Sequence, residues 1–104
     1  MNTIKIEQAV ITNVEQVHDY FQIVSTKFTL NIYNSFYVKY NNMTSNDYEM
    51  LVGKVIKTIE LTEKEALVLE LKDKIYICIS LANEDYLGPE AVHIKFNTGE
   101  VIII

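Results

Sequence analysis

The alternation of apolar and polar residues between positions 67 and 81 constrains this chain more than any other feature. Successive side chains of a strand point to opposite faces of a sheet, so a period of two predicts strands with one buried face. The polar stretch 72–74 between the two apolar runs has the length of a hairpin turn. We therefore predict a β-hairpin whose inward positions are Leu67, Leu69, Leu71, Ile75, Ile77, Ile79 and Leu81.

The same period recurs elsewhere in the chain. Residues 28–32 and 36–40 alternate on either side of a polar Asn34-Ser35 pair, which predicts a second hairpin. Residues 92–96 alternate as well, and 97–100 turn the chain into a last strand at 101–104. Because a run this apolar would aggregate if it frayed, we expect the last strand to lie inside the sheet.

Two stretches leave alternatives open. Residues 13–21 have helical apolar spacing, and Thr12 with Glu15 resembles a capping box, so a short helix is one interpretation. The other is a turn between a strand that ends near Val14 and a strand that starts at Phe21. Residues 41–51 are polar and then mixed, which indicates a loop followed by one helical turn.

A weak internal repeat of the apolar pattern, which we call the echo, helps to define the fold class. The apolar positions of 10–32 recur in 55–79, and their offset grows from 45 to 46 to 47 along the chain. This predicts two similar three-stranded meanders, the second with each connection one residue longer. The expected fold is mostly β, with antiparallel meanders forming a small β-sandwich or half-open barrel and room for one short helix. With three glycines and one proline to interrupt it, the chain reads as a single domain, 1–104.

Charge and cysteine content narrow the functional classes. Nine lysines, no arginine and fourteen carboxylates give a net charge of −5, which argues against direct binding to nucleic acid or to anionic lipid. The single cysteine, Cys78, excludes an internal disulfide framework and fits a reducing compartment. No secretory leader or membrane-spanning run is recognisable, so we expect a soluble cytoplasmic protein.

Catalytic constellations are hard to assemble from these residues. Cys78 lies mid-strand among isoleucines, which is typical of a small hydrophobic residue rather than a nucleophile. His18 and His93 lack a second ligand at a spacing typical of a metal site. The carboxylate pairs 63/65 and 84/85 are not accompanied by a cleft-forming or phosphate-binding motif. We therefore predict that the protein is not an enzyme and holds no metal or cofactor.

Tyrosines that follow aspartates are the remaining signal. The pair Asp-Tyr occurs three times, at 19/20, 47/48 and 85/86. Tyrosine supplies a large contact area and carboxylates attract a basic partner, so together they suit a protein interface. In the alternative interpretation these tyrosines cover hydrophobic edges and hydrogen-bond locally. The predicted partner-binding residues are Asp19, Tyr20, Asp47, Tyr48, Glu49, Glu84, Asp85, Tyr86 and Glu90.

Five segments carry a resemblance to a known family. Residues 30–34, 51–54, 67–71, 77–81 and 86–91, the last containing Gly-Pro-Glu-Ala, resemble small bacterial immunity proteins of toxin/immunity systems such as contact-dependent growth inhibition. The sequence departs from the family where Lys74 follows Asp73 in place of a glycine, and where the end lacks a tryptophan. The resemblance implies a protein that binds a cognate toxin domain and occludes its active site, and it carries over no catalytic residue.

An acidic surface is compatible with binding to a toxin domain, although two other functions are also compatible with this sequence. Nuclease toxins have basic substrate clefts, and an acidic partner can imitate the phosphates that such clefts bind. We expect a monomer or weak homodimer whose partner is a basic, nuclease-type toxin domain. The alternatives are a small-ligand-binding half-barrel with an apolar cavity, and a self-associating structural domain that pairs its edge strands.

Overall fold

Ten antiparallel strands make up most of the described chain and confirm the predicted mostly β fold. The structure is a computed structural model that describes residues 2–45 and 47–104. The strands are β1 (Asn2–Val17), β2 (Tyr20–Ser25), β3 (Phe28–Ile32), β4 (Phe36–Tyr40), β5 (Met43–Ser45), β6 (Val55–Thr62), β7 (Ala66–Leu71), β8 (Ile75–Ser80), β9 (Val92–Phe96) and β10 (Val101–Ile103). They form one sheet in the order β10-β9-β3-β2-β1-β6-β7-β8-β4-β5.

The sheet is doubled onto itself as an open sandwich. Ten strands laid flat would span about 45 Å, whereas the molecule measures 34 × 31 × 31 Å. Layer I contains β5, β4, β8, β7, β6 and the first half of β1, and layer II contains the second half of β1 with β2, β3, β9 and β10. The rings of Phe21 in layer II and Phe36 in layer I lie 5.1 Å apart, so the two layers meet in one core.

The bend between the layers lies within β1. This strand pairs with β6 as far as Val10 and with β2 from Ile11 onward. Its register shifts between Lys5 and Ala9, where Gln8 has a positive φ of 51°. Irregularities of this kind increase the local twist and bend a strand, which allows one strand to serve both layers.

The core consists of the alternate residues that the sequence pattern predicts. In the hairpin β7–β8 the residues facing the other layer are at most 1% exposed. The three-residue turn 72–74 joins these two strands as expected. This confirms the inward positions Leu67, Leu69, Leu71, Ile75, Ile77 and Ile79, and Leu81 just beyond β8 is buried as well.

The chain is built from two related halves. Strands β1–β3 and β6–β8 are both antiparallel meanders, and β1 pairs with β6 where the halves join. The turns 18–19 and 26–27 have two residues each, whereas 63–65 and 72–74 have three. These turn lengths explain why the offset of the echo grows by one at each connection. Each half then exchanges a hairpin with the other. The hairpin β4–β5 of the first half pairs with β8 of the second, and β9–β10 of the second half pairs with β3 of the first.

One connection breaks this correspondence. The first half passes from β3 to β4 through three residues, 33–35, and the second half passes from β8 to β9 through eleven, 81–91. A sandwich needs only the shorter link, as the first half demonstrates. The longer connector is therefore additional to what the fold requires.

Three local expectations are corrected by the structure. Of the two interpretations of residues 13–21, the turn between two strands is confirmed and the short helix is wrong, because β1 continues to Val17 and a two-residue turn leads into β2 at Tyr20. The sequence 28–40 is not a hairpin, because β3 pairs with β2 and β9 whereas β4 pairs with β8 and β5. The Asn34-Ser35 link instead crosses between layers. The spacing looked helical because an irregularity between Ile11 and Asn13 leaves Ile11 and Val14, three residues apart, both buried.

The last strand is the third correction. β10 lies at the edge of the sheet rather than inside it, and Val101 and Ile103 are 49% and 56% exposed. Ile102 of this strand and Ile104 just after it pack against the core, so two of the four residues of the apolar run are partly buried.

The stretch 41–51 contains more structure than the predicted loop. Asn41 and Asn42 have φ values of 49° and 64° and form a two-residue hairpin turn, which suits asparagine in the left-handed region. Strand β5 follows, and the predicted helical turn is the 3₁₀ turn Tyr48–Leu51; residue 46 lies outside the described residues. A second 3₁₀ turn spans Asn83–Asp85, and no helix in the described ranges is long and apolar enough to cross a membrane.

The turn 72–74 generates a stability prediction. Lys74 has a φ of 59°, a conformation that costs an L-residue about 1 kcal/mol and a glycine almost nothing. Because glycine also makes the unfolded chain more flexible, which costs about 0.5–1 kcal/mol, we expect Lys74→Gly to raise the free energy of unfolding by no more than about 0.5 kcal/mol in urea titrations. The matched control is Lys72→Gly in the same turn, where φ is not positive; it should lower stability by about 0.5–1 kcal/mol. Equal effects of the two substitutions would contradict the conformational explanation.

Candidate interaction surface

The additional connector 81–91 is held to the sheet at its beginning. Leu81 N–H donates a hydrogen bond of 3.0 Å to the carbonyl of Glu65. Ser80 Oγ donates to Asp85 Oδ2 at 2.5 Å and accepts from the backbone N–H of Ala82 at 3.3 Å. These bonds close the 3₁₀ turn Asn83–Asp85 over the end of β8, so Asp85 is positioned by a strand rather than by a loose loop.

The second part of the connector forms one wall of a groove. On one side are Leu87, Pro89 and Glu90, and on the other is the β1–β2 turn with Asp19. This depression has a volume of about 590 Å³, and a neighbouring one of about 310 Å³ shares Gln16, Asp19, Tyr33 and Leu87 with it. We call the two together the connector groove.

Aromatic rings line the groove where the layers meet. The Tyr20 and Tyr33 rings lie 5.3 Å apart, and the Tyr33 ring lies 6.3 Å from the imidazole of His93. Tyr33 is fixed at its backbone, because its N–H donates to the carbonyl of Ala91 at 2.9 Å. Beside these rings Leu87 is 81% exposed, which is the largest exposure among the large hydrophobic residues described. The groove therefore combines rigid rings with an uncovered aliphatic side chain.

Asn34 lies at the floor of the groove and is 4% exposed. Its Nδ2 donates to the carbonyl of Ser80 at 2.8 Å, which ties the short link of one half to the end of β8 in the other. Its Oδ1 has no hydrogen-bond partner among the described residues. Buried amide oxygens are usually paired, so this atom is an acceptor in need of a donor.

Carboxylates gather around this part of the surface. A further depression of about 420 Å³ adjoins the groove at Ser35 and Phe36 and includes Glu65 and Asp85. Depressions elsewhere are lined by Lys39 with Lys74, and by Lys27. Among the described residues, no lysine lines the groove or its neighbour, and the carboxylates there are Asp19, Glu65, Asp85 and Glu90. The carboxylates of this region are therefore not balanced by lysines among its described lining residues.

The carboxylate of Glu90 remains available for another donor. Its Oε2 lies 3.8 Å from Nε2 of His93, which is beyond hydrogen-bond distance. That Nε2 is buried and has no hydrogen-bond partner in the described part of the chain. Glu90 therefore borders the groove without being committed to a strong internal pair.

The structure brings some of the predicted residues together. Asp19, Tyr20 and Glu90 line the connector groove, and Asp85 lines the adjoining depression. The exposed carboxylates Asp47, Glu49 and Glu84 lie outside both.

Two of the predicted tyrosines are packed against the core. The Tyr48 ring lies 4.8 Å from that of Phe21 and 5.3 Å from that of Phe36, and Tyr86 is half-buried against the same core. Tyr48 thus packs against two rings that line the groove, and Tyr86 packs against the core, as the alternative interpretation of these tyrosines predicted. Tyr20 is the member of the set whose ring lies along the groove itself.

The residues that the sequence analysis missed are Tyr33, Asn34 and Leu87. Their role depends on the crossing between layers, which the predicted hairpin over 28–40 concealed. The excess length of 81–91 over 33–35 was available as a signal, because the two halves otherwise correspond.

Cys78 and the histidines lie in separate places. Cys78 is on the outer face of β8 in layer I, whereas His93 is on the outer face of β9 in layer II, with the core between them. A hydrogen bond with Cys78 raises the pKa of its neighbour Tyr37 above the ordinary value for tyrosine. Within residues 2–45 and 47–104 no group of three or more His, Cys, Asp or Glu side chains could hold a metal ion.

Comparisons with protein-family models, curated proteins and solved structures found no match to this chain. The groove, its charge and its exposed side chains are therefore the features from which a function can be inferred. The chain is an all-β open sandwich with a groove beside the connector 81–91, and carboxylates and aromatic rings line this groove.

Ser80 generates a prediction about this connector. Ser80→Ala removes the two side-chain hydrogen bonds that tie the Asn83–Asp85 turn to the end of β8, and we expect it to lower stability by about 1–2 kcal/mol. Amide hydrogen exchange of 82–86 should become faster, with the core strands unaffected. The control Ser35→Ala removes an exposed hydroxyl next to the groove and should change neither quantity. Unchanged exchange at 82–86 in Ser80→Ala would show that other contacts hold the turn.

Proposed function

We propose that this protein is an immunity protein that binds a cognate, basic toxin domain of nuclease type and occludes its active site. The connector groove carries the proposal, because it combines uncommitted carboxylates with exposed apolar and aromatic surface. Acidic charge alone would serve solubility. The coincidence of both properties on a connector that the fold does not require is characteristic of a binding surface.

The charge distribution supports rapid association with a basic partner. Asp19, Asp85 and Glu90 lie in a region that contains no lysine among its described lining residues. A concentrated negative field raises the rate of encounter with a positive cleft, and the effect weakens as salt increases. A nuclease active site is a positive cleft because it binds phosphates. The acidic region can therefore compete for the surface that the substrate uses.

The apolar part of the groove supports tight binding after encounter. Leu87 is 81% exposed, and the Tyr20 and Tyr33 rings beside it are held by the sheet. Burying the two rings releases water from apolar surface without the entropic cost of ordering a loop, and Leu87 adds apolar area from the connector. Hot spots of protein interfaces are typically aromatic or aliphatic anchors surrounded by polar residues. This arrangement matches the connector groove.

A charge-reversal pair tests the steering. We predict a large secreted protein encoded directly upstream, whose C-terminal domain is the partner, and co-expression of the two should restore growth. Asp19→Lys with Glu90→Lys should abolish the rescue and slow association about tenfold at low salt. The matched control is Asp73→Lys with Glu100→Lys, which changes the net charge equally on turns away from the groove. If both pairs slow association equally, overall charge rather than the groove directs binding.

A truncation tests the apolar anchor. Leu87→Ala removes most of an exposed aliphatic side chain, and we expect it to speed dissociation of the same complex about tenfold with little change in the association rate. The control is Ile103→Ala, because Ile103 is 56% exposed on the edge strand β10 and does not line the groove. Surface plasmon resonance separates the two rate constants. A faster dissociation in Ile103→Ala with none in Leu87→Ala would place the interface on β10.

A further inference from the structure

The unpaired oxygen of Asn34 indicates what the connector groove holds. The direction of this amide is set by the 2.8 Å bond from Nδ2 to the carbonyl of Ser80, so Oδ1 is the acceptor that remains unpaired. Asn34 is 4% exposed and also lines the groove. Burying an amide oxygen without a donor is unfavourable, and a ligand that supplies the donor relieves that cost.

The surroundings define the chemistry of the donor. Asp19 and Glu90 contribute carboxylates to the groove walls, and His18 is the one side chain there that can become cationic among the described lining residues. Tyr33 offers an aromatic ring at the point where the two depressions join. The groove thus presents several acceptors, negative charge and a ring face. The complementary group is a planar cation with several N–H donors.

We propose that the connector groove binds the guanidinium of an arginine side chain that projects from the partner. This inference deepens the proposed function and rests on it as far as the identity of the partner is concerned. A guanidinium bonds to carboxylates through a rigid fork of donors and stacks on aromatic rings, whereas an ammonium is a point charge with a strong hydration shell. The combination of Asp19, Glu90, Tyr33 and Asn34 therefore selects arginine over lysine.

The fit requires a small movement at the rim. Asn34 Oδ1 is buried, so a donor reaches it when neighbouring side chains of the groove lining, which include Leu87, shift aside. The backbone of 87–90 makes no hydrogen bond among those found for the described residues, so such a shift breaks none. The bonds of Ser80 with Asp85 and Ala82 hold the preceding turn in place. The aliphatic stem of the arginine then lies along Leu87.

The test uses the purified protein and N-acetyl-arginine amide as the probe, without any toxin. In NMR titrations we expect saturable shifts of the Asn34 side-chain amide and of the Tyr33 and Leu87 backbone amides. N-acetyl-citrulline amide has the same shape without the charge and should cause no saturable shift. N-acetyl-lysine amide should bind at least several-fold more weakly. Equal shifts with citrulline, or saturation that leaves Asn34 unaffected, would overturn the proposal.

Isosteric variants locate the site. Asp19→Asn with Glu90→Gln removes both charges and keeps the shape, and it should weaken binding of the arginine probe about tenfold. The matched control Asp73→Asn with Glu100→Gln should leave the affinity unchanged. The amide spectrum of each variant verifies that it is folded. Equal affinity in both pairs would contradict the placement in the connector groove.

Failures of the two proposals are distinguishable. A protein that rescues growth but does not bind the arginine probe overturns this inference and leaves the immunity function standing. A protein that binds the probe at Asn34 but neither rescues growth nor binds the upstream toxin domain supports the arginine site and overturns the immunity function.

Discussion

The packing of alternate aliphatic side chains between two layers is the interaction on which the rest of this structure depends. Isoleucines and leucines of β7 and β8 meet those of β2 and β3 across one core, and nearly all of them are fully buried. Each layer alone would expose an apolar face, so neither is stable without the other. Because β1 belongs to both layers, the bend around Gln8 to Ile11 couples the two meanders into one cooperative unit.

That coupling also explains where the functional surface lies. Each half must cross to the opposite layer after its meander, and the crossings 33–35 and 81–91 run side by side, with Tyr33 and Asn34 N–H groups donating to Ala91. The first crossing has three residues, and the second has eight more. Asn34 and Tyr33 of the short crossing are tied to the sheet, and residues 87–90 of the long one form a wall outside the buried core. Binding residues are commonly placed on such loops over a rigid scaffold.

Local pattern was sufficient for much of the fold and for part of the site. The hairpin 67–81 was predictable because its register follows from alternation and a short polar turn. The growth of the echo from 45 to 47 even anticipated which turns are longer. The Asp19-Tyr20 pair and Glu90 were identified from residue type alone. By contrast, the same alternation predicted a hairpin over 28–40, and this prediction is wrong. Alternation indicates which face of a strand is buried but not which strand lies beside it.

The sequence by itself determined that the chain would be a β protein with a single apolar core, an acidic surface and a distinctive segment before Ala91. These properties follow from period, composition and turn chemistry, which act over a few residues. Only the tertiary structure decided that Asn34 from one half meets Ser80 from the other, that Tyr48 and Tyr86 face the core, and that Val101 and Ile103 lie on an open edge. The reason is that long-range strand pairing, and the exchange of hairpins between the halves, depend on how the two layers pack in space. The periodicity of one strand does not specify which strands lie beside it.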